Sequence, residues 1–305
     1  MTSILTNVSA MTALASLQAT NKALETTQSR ISTGLRVAEA KDNAAYWSIA
    51  TSMRSDNSSL STVKDALGFG GALVDTAYTG TNAAIKVINQ IKDKLLSAKT
   101  PGMDKTKIQS EIDQLQDQLK SIADSASFSG ENWLSVDSTT DFDPQREIVA
   151  SFTRGANGNI SVGMLTVDVN ASKLFDKNAD NDEKGVLDKQ FTPATGAAFS
   201  VVDFDITASG AASVDDMLNH VNAASRALET SAATLGAAKT RIDLQNEFIG
   251  ALRDAIDRGV GTLVDADMNE ESTRLQALQV QQQLGIQALS IANSAVQGIM
   301  RLFQQ

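Results

Sequence analysis

The chain has 305 residues, 42% of them hydrophobic, and its 36 acidic against 26 basic side chains leave a net charge of −10. That is apolar enough for a sizeable core and excludes a disordered polymer, while the acidic balance, with no Lys/Arg cluster, argues against a nucleic-acid surface. The lack of cysteine removes disulfides, thiolate metal sites and a cysteine nucleophile, and aromatics at 5% favour long helices packed through Leu, Ile, Val and Ala.

Residues 1–21 carry no charged side chain. Leu14, Leu17, Leu24, Ile31, Leu35 and Ala38 hold a three-four spacing that predicts a helix, and Ile4, Val8, Met11 and Ala15 mark an earlier, offset phase of it. The start, MTSILTNVSAMTALASLQATN, lacks the cationic beginning and compact apolar run of a secretory signal, so any export is expected to use another route. A break around 37–43 separates this helix from the next.

From Ile49 the three-four repeat continues through Met53, Leu60, Val63, Leu67, Val74, Ala77, Ala84, Ile88, Ile91 and Leu95, missing only at Asp56, Gly70 and Thr81. At about 1.5 Å per residue this predicts a rod of roughly 70 Å. Thr100-Pro101-Gly102 should stop it, and Asp104 can cap an antiparallel helix carrying Ile108, Ile112, Leu115, Leu119 and Ile122. Between 128 and 212 the texture changes to short alternating runs. Residues 147–153 and 160–169 flank Ala156-Asn157-Gly158-Asn159, a hairpin signal, and the alternation shifts phase between Met164 and Leu165 as a bulge would require. A further strand is expected over 199–206. Trp133 is placed to anchor the end of the bundle.

A third long helix opens at Ser213-Val214-Asp215-Asp216, which resembles a capping box. Its stripe runs Val214, Met217, Val221, Ala224, Leu228, Leu235, Ala238, Ile242, Ile249, Leu252 and Ile256, interrupted by Ser231 and Gln245. A break is expected over 258–266, at Gly259 and Gly261. Beyond it, residues 275–300 again carry no charge, but eight of them are Gln or Asn, too many for a bilayer span. Leu275, Leu278, Leu289, Ala292, Val296, Ile299 and Phe303 form one stripe, widened by Leu284, Ala288, Ile291 and Ala295. Such a helix is expected to touch protein on more than one side. The fold expected is mainly α: a long antiparallel helical coiled-coil bundle made by the N- and C-terminal halves, with a small β-rich insertion. Its domains are expected at 1–42 with 263–305, at 43–127 with 213–262, and at 128–212.

Chemistry-bearing candidates read as structural. Asp176, Asn178, Asp180 and Asp182 alternate like a calcium loop, but Asn181 and Leu187 occupy the positions that need Gly and Glu. His220 is the single histidine and lies off the helix stripe. Asp265, Asp267, Glu270 and Glu271 cluster in sequence, with Asp267 and Glu270 suited to a helix cap. No catalytic residue, metal site or cofactor is expected, and no phosphate loop or triad occurs.

The stretches ISTGLRVAEAKDNAAYWSIATSMRSD (31–56) and LVDADMNEESTRLQALQVQQQLGIQALSIANSAVQGIMRLF (263–303) closely resemble the two end regions of bacterial flagellin. The resemblance covers about 1–130 and 213–305. It implies a structural subunit that polymerises into the filament of a bacterial flagellum, extracellular, exported unfolded through a type III channel, with the terminal helices lining the inside of a tube. It implies itself as partner, in one filament or mixed with other flagellins, together with the export apparatus and chaperone, cap and junction proteins, and neither nucleic acid nor membrane. On that layout Ile4, Val8, Met11, Leu14, Leu17, Leu24, Leu284, Leu289, Ile291, Val296, Ile299, Leu302 and Phe303 form the polymer core interface. Arg36, Lys41 and Asp42 either cap a helix junction or join neighbouring subunits. Two departures alter regions that innate receptors sense in the family: Tyr46-Trp47 stands where many members have Gly-Leu, and Gln90, Lys92 and Asp93 stand in the Arg-x-Arg-Glu-Leu region. The alternatives are a hook-filament junction protein or, from another class, a secreted membrane-inserting translocator.

Overall fold

The structure is a computed structural model that describes residues 7–139, 143–155, 157–178, 180, 183–193, 197–207 and 213–303, with side chains only to residue 294 in the last helix. Its helices are α1 (Val8–Thr33), α2 (Ala44–Ala98), α3 (Lys105–Ser125), α4 (Val214–Val264) and α5 (Met268–Phe303). Its strands are β1 (Ser127–Phe128), β2 (Glu131–Asn132), β3 (Ser135–Val136), β4 (Gln145–Arg154), β5 (Ile160–Asp168) and β6 (Phe175–Asp176). They pair as β1 with β2 and β4 with β5, both antiparallel, and β3 with β6 in parallel. Two compact units result: Ser58–Arg253, and Met1–Asn57 with Asp254–Gln305.

In Ser58–Arg253 the predicted stripes are the core. On α2, Leu60, Val63, Leu67, Val74, Ala77, Ala84, Ile88, Ile91 and Leu95 are buried, facing Met217, Val221, Ala224, Leu228, Leu235, Ala238, Ile242 and Ile249 on α4. The helices run antiparallel, since Lys99 pairs with Asp215 at 2.6 Å and Asp75 with Lys239 further back. Gly102, with φ 90°, turns the chain into α3, whose N-cap Asp104 accepts the N–H groups of Thr106 and Lys107.

The interruptions in the stripes have specific uses. At Gly70 a Cβ would lie 2.4 Å from Ile148 Cγ2, and at Gly80 one would lie 2.5 Å from Leu134 Cδ1, so both glycines are sockets for the β segment. Buried Thr81 returns its hydroxyl to the Ala77 carbonyl at 2.9 Å. Gln245 Nε2 donates to the Ala150 carbonyl at 2.9 Å.

Ala150 is the extra residue of a bulge, because Val149 pairs with Met164 and Ser151 with Gly163. The bulge therefore lies on β4, not between Met164 and Leu165 as the alternation predicted. Gly163, Leu165 and Val167 keep one inward phase along β5, while the outward residues Ile160, Val162 and Met164 are also apolar. A hairpin apolar on both faces mimics a phase shift. Of its predicted turn, Ala156 lies outside the described residues; Gly155 N–H donates to the Asn159 carbonyl at 2.8 Å.

Residues 199–206 do not form the expected strand. Phe199 makes one bridge to Phe191, after which Asp203 N–H turns back to the Ser200 carbonyl. Gln109 and Gln116 of α3 supply the bonds a ladder would have given: Gln109 Oε1 accepts from Ile206 N at 2.9 Å, and Gln116 Nε2 donates to the Val201 carbonyl at 3.1 Å. Buried backbone polar groups need partners, and here side-chain amides serve.

The other unit pairs the chain's ends. α1 lies antiparallel on α5: Asn7 Nδ2 donates to the Ala292 carbonyl, Gln282 Nε2 to Asn21 Oδ1, and Arg30 pairs with Glu271 at 2.9 Å. Gly34, at φ 71°, ends α1, and the next residues bind the end of α4, with Arg36 and Val37 N–H groups donating to the Val264 carbonyl. Val37, Ala50, Val260 and Val264 form a small core there. The break expected over 258–266 is shorter, because α4 passes through Gly259 and Gly261 to Val264. Gly259 sits against Met53, with room for a Cβ at ordinary contact distance, 3.6 Å from Met53 Cε. Asp267 caps α5, accepting from Asn269 and Glu270 N–H groups.

Candidate polymer interface

The α1–α5 seam is built mostly from small or polar residues. On α1 the half-buried row is Ala10, Ala13, Leu17, Thr20, Leu24 and Ile31, with Thr27 the single buried residue among those described; on α5 it is Leu275, Leu278, Gln282, Gly285, Leu289 and Ala292. The glycine favours close approach, since a Cβ on Gly285 would meet Leu17 Cδ1 at 3.2 Å and push that side chain aside by a few tenths of an ångström. Leu17, Leu24 and Leu289 of the predicted interface thus serve the contact within the chain. The rest of the large apolar residues point away: Val8, Met11 and Leu14 on α1, and Val280, Leu284, Ile286 and Ile291 on α5, are between 45% and 71% exposed. Leu14 leaves the predicted stripe because Ala10 and Ala13 fit the narrow seam. Ile4 and the side chains of Val296, Ile299, Leu302 and Phe303 lie outside the described residues.

These exposed rows occupy charge-free helix surface, so water gains neither an ion to solvate nor a buried core to exclude it. Covering each such side chain is worth about 1.5–3 kcal/mol, and contiguous apolar surface of this kind marks an interaction face.

At the junction, Arg36 donates to the Leu263 carbonyl at 3.0 Å, and Asp42 accepts the N–H groups of Ala38 and Glu39 at 3.1 Å each. Those bonds hold the Asp42 carboxyl below its ordinary range. Lys41 pairs with Glu39 at 2.7 Å in full exposure, which raises its ammonium pKa. All three line a cleft of about 220 Å³ beside Arg30. Tyr46 and Trp47 are exposed at the start of α2; Gln90 and Asp93 are exposed, while Lys92 reaches Asn222 Oδ1 at 3.5 Å.

Side chains with catalytic potential are used structurally. Asp176 is buried and ion-paired with Lys173 at 2.8 Å. Burial alone would raise its pKa, but the Lys173 ammonium and the Ser138 and Asn178 N–H groups outweigh it and hold the carboxyl low. Asn181 and Asp182 of the loop lie outside the described residues, and among those described no group of three or more His, Asp or Glu could hold a metal ion. His220 stacks on Phe191 at 5.3 Å with Phe199 edge-on, and burial lowers its pKa. Trp133 is buried, its indole N–H donating to Glu131 at 3.2 Å. The Arg30–Glu271 pair was not among the expected contacts; its signal was that the charges of α1, Lys22, Glu25 and Arg30, and all but Arg301 of those of α5, Glu270, Glu271 and Arg274, gather toward the ends that the antiparallel pairing brings together.

The family model for the bacterial flagellin N-terminal helical region matches residues 4–139, and that for the C-terminal helical region matches 218–303. The chain is 50% identical to "Flagellin C" of Rhizobium meliloti (strain 1021) and 50% identical to "Flagellin" of Brucella melitensis biotype 1, each over the whole of both chains. It is 43% identical to "Flagellin A" of Rhizobium meliloti, again end to end.

The chain belongs to the bacterial flagellin family.

It is accordingly a structural subunit of the flagellar filament, an extracellular self-polymer. No helix among the described residues is long and apolar enough to cross a membrane.

Proposed function

We propose that α1 and α5 form the inner wall of the filament, with Val8, Met11, Leu14, Leu284 and Ile291 contacting neighbouring copies and Leu17, Leu24 and Leu289 holding the pair together. The carrying observation is the exposure of these large apolar residues on the charge-free stretches of the two helices, within 1–21 and 275–300. By the sequence repeat, Ile4, Val296, Ile299, Leu302 and Phe303 are assigned to the same interface. Residues 43–127 with 213–262 make the helical shell, and 128–212 the outer insertion. Amides spread along α5 suit a helix meeting protein on several sides and a wet lumen on another.

Arg36 and Asp42 set the junction geometry, and exposed Lys41 reaches a neighbouring copy. Lys41→Glu should weaken assembly without unfolding the subunit. Export through a type III channel, delivery by a chaperone, and addition under a cap beyond junction proteins follow from filament growth. The exposed Tyr46-Trp47 pair and the amide at Gln90, which cannot replace a forked guanidinium donor, weaken recognition by plant and animal innate receptors; strong activation by purified protein would refute this.

The test is electron microscopy after adding ammonium sulfate to the full chain and to a variant spanning 45–262. Filaments from the first and soluble, folded subunits from the second are expected. Filaments from the truncated chain would remove the terminal helices from the interface.

A further inference from the structure

Mild oxidants act first on sulfur, and this chain offers them eight methionines and no cysteine. Its thioethers therefore meet hydrogen peroxide with no thiol to react ahead of them. Among the described methionines, Met217 is 1% exposed in the stripe of α4 and Met53 is half-buried against Gly259, whereas Met11, Met103, Met164 and Met268 are 63%, 50%, 50% and 43% exposed. Met11 is the most accessible of them.

Its place in the fold sets it further apart. Met103 follows Gly102 in the turn after α2, Met164 lies on β5 and Met268 opens α5, but Met11 lies within the charge-free first 21 residues, on α1. Val8 and Leu14, three positions to either side, are exposed with it. Residues three apart share a helix face, so the three side chains make one apolar strip turned away from the α5 seam. With α1 in the inner wall of the filament, that strip meets neighbouring copies. A sulfoxide oxygen there is a strong acceptor, and an apolar contact closing over it without a donor bears the cost of stripping its water. Neither Val8 nor Leu14 has a polar side-chain atom to offer.

We propose that Met11 is a redox-sensitive modification site that gates assembly: hydrogen peroxide converts its thioether to the sulfoxide in the free subunit, and the sulfoxide keeps α1 out of the filament contact. The Sδ lone pair attacks one peroxide oxygen as the O–O bond breaks. That oxygen stays on sulfur, and the departing hydroxide takes its proton and leaves as water, so sulfur loses two electrons and the peroxide gains them. The site rests on α1 being part of the inner wall. Because the same contact covers the sulfur, a copy already in the filament is protected and the modification acts on subunits awaiting addition. Reduction of both sulfoxide epimers regenerates the thioether, which makes the block reversible.

Subunits and preformed filaments of the full chain are treated with hydrogen peroxide and quenched, sulfoxide at each methionine is read by peptide mass spectrometry, and assembly of the treated subunits is read as their critical concentration. The treated subunit should carry sulfoxide at Met11 and show a critical concentration raised roughly tenfold or more. Methionine sulfoxide reductases acting on both epimers should return it to the starting value; a block that persists after Met11 is fully reduced overturns the proposal. Met11→Leu, which keeps the volume and removes the sulfur, should assemble alike before and after peroxide, even with Met103, Met164 and Met268 oxidised.

An equal loss of assembly in peroxide-treated Met11→Leu overturns the site, as does an unchanged critical concentration in wild-type chain fully oxidised at Met11. The filament sample separates the two levels. Met11 should oxidise more slowly in filaments than in subunits; equal rates would instead remove α1 from the covered wall, the reading on which the site rests.

Discussion

The two compact units use the same helical repeat to opposite ends. In Ser58–Arg253 nearly every stripe position of α2 and α4 is buried within the chain, and α3 and the β segment close the remaining sides. In the α1–α5 pair the half-buried seam combines Leu17, Leu24, Leu275, Leu278 and Leu289 with alanine, threonine and one glycine, while Val8, Met11, Leu14, Leu284 and Ile291 face outward. A helix stabilised by its own chain buries its whole stripe; a helix awaiting neighbours leaves part of its bulk for them. The contrast predicts a subunit whose middle folds alone and whose ends are marginal, because helix pairs with little buried area gain little beyond their intrinsic propensity.

Substitutions sharpen that contrast. Ile88→Ala, in the fully buried stripe, should destabilise Ser58–Arg253 by about 2–5 kcal/mol in urea unfolding followed by circular dichroism. Leu284→Ala and Ile291→Ala remove similar atoms from exposed positions, so subunit stability should move by less than about 0.5 kcal/mol while filament assembly weakens. Equal losses of stability at the two kinds of site would break the comparison.

Smaller effects report on the polar devices within the middle unit. Gln116→Ala leaves the Val201 carbonyl without its 3.1 Å donor, and should lower stability by about 1–3 kcal/mol in the same assay. Asp104→Ala removes the cap of α3, for about 1 kcal/mol. The smallest change is a pH dependence. Burial lowers the His220 pKa below its ordinary 6.5, so the unfolded chain takes up a proton first as the pH falls below about 6.5. Stability should therefore decline on acidification from about 6.5 toward the lowered native pKa. His220→Phe should flatten thermal melts over that interval; an unaltered pH profile would show that His220 is not the responsive group.

Helix positions were legible because one stripe repeated over many turns outweighs single exceptions. The exceptions themselves were not legible as sites. Gly70 and Gly80 look like defects until Ile148 and Leu134 are seated on them, and Gln245 looks like a misplaced amide until the bulged Ala150 carbonyl is beside it. Residues 199–206 carry the composition of a strand, yet their partners are Gln109 and Gln116, about ninety positions away in the chain. The candidate interface divided likewise. Its residue types and lack of charge could be read directly, but which leucines face the partner helix and which face outward depended on the seam's width.

By itself the sequence determined the helical class, the antiparallel meeting of the two halves, the hairpin, and the unusual charge-free ends, since periodicity, capping residues and charge are properties of consecutive residues. Only the tertiary structure decided that the seam runs through Ala10, Ala13 and Gly285, that the bulge sits on β4, and that α4 continues through Gly259 to Val264. Those outcomes depend on how closely two distant backbones approach, and that distance is set by the smallest side chains between them.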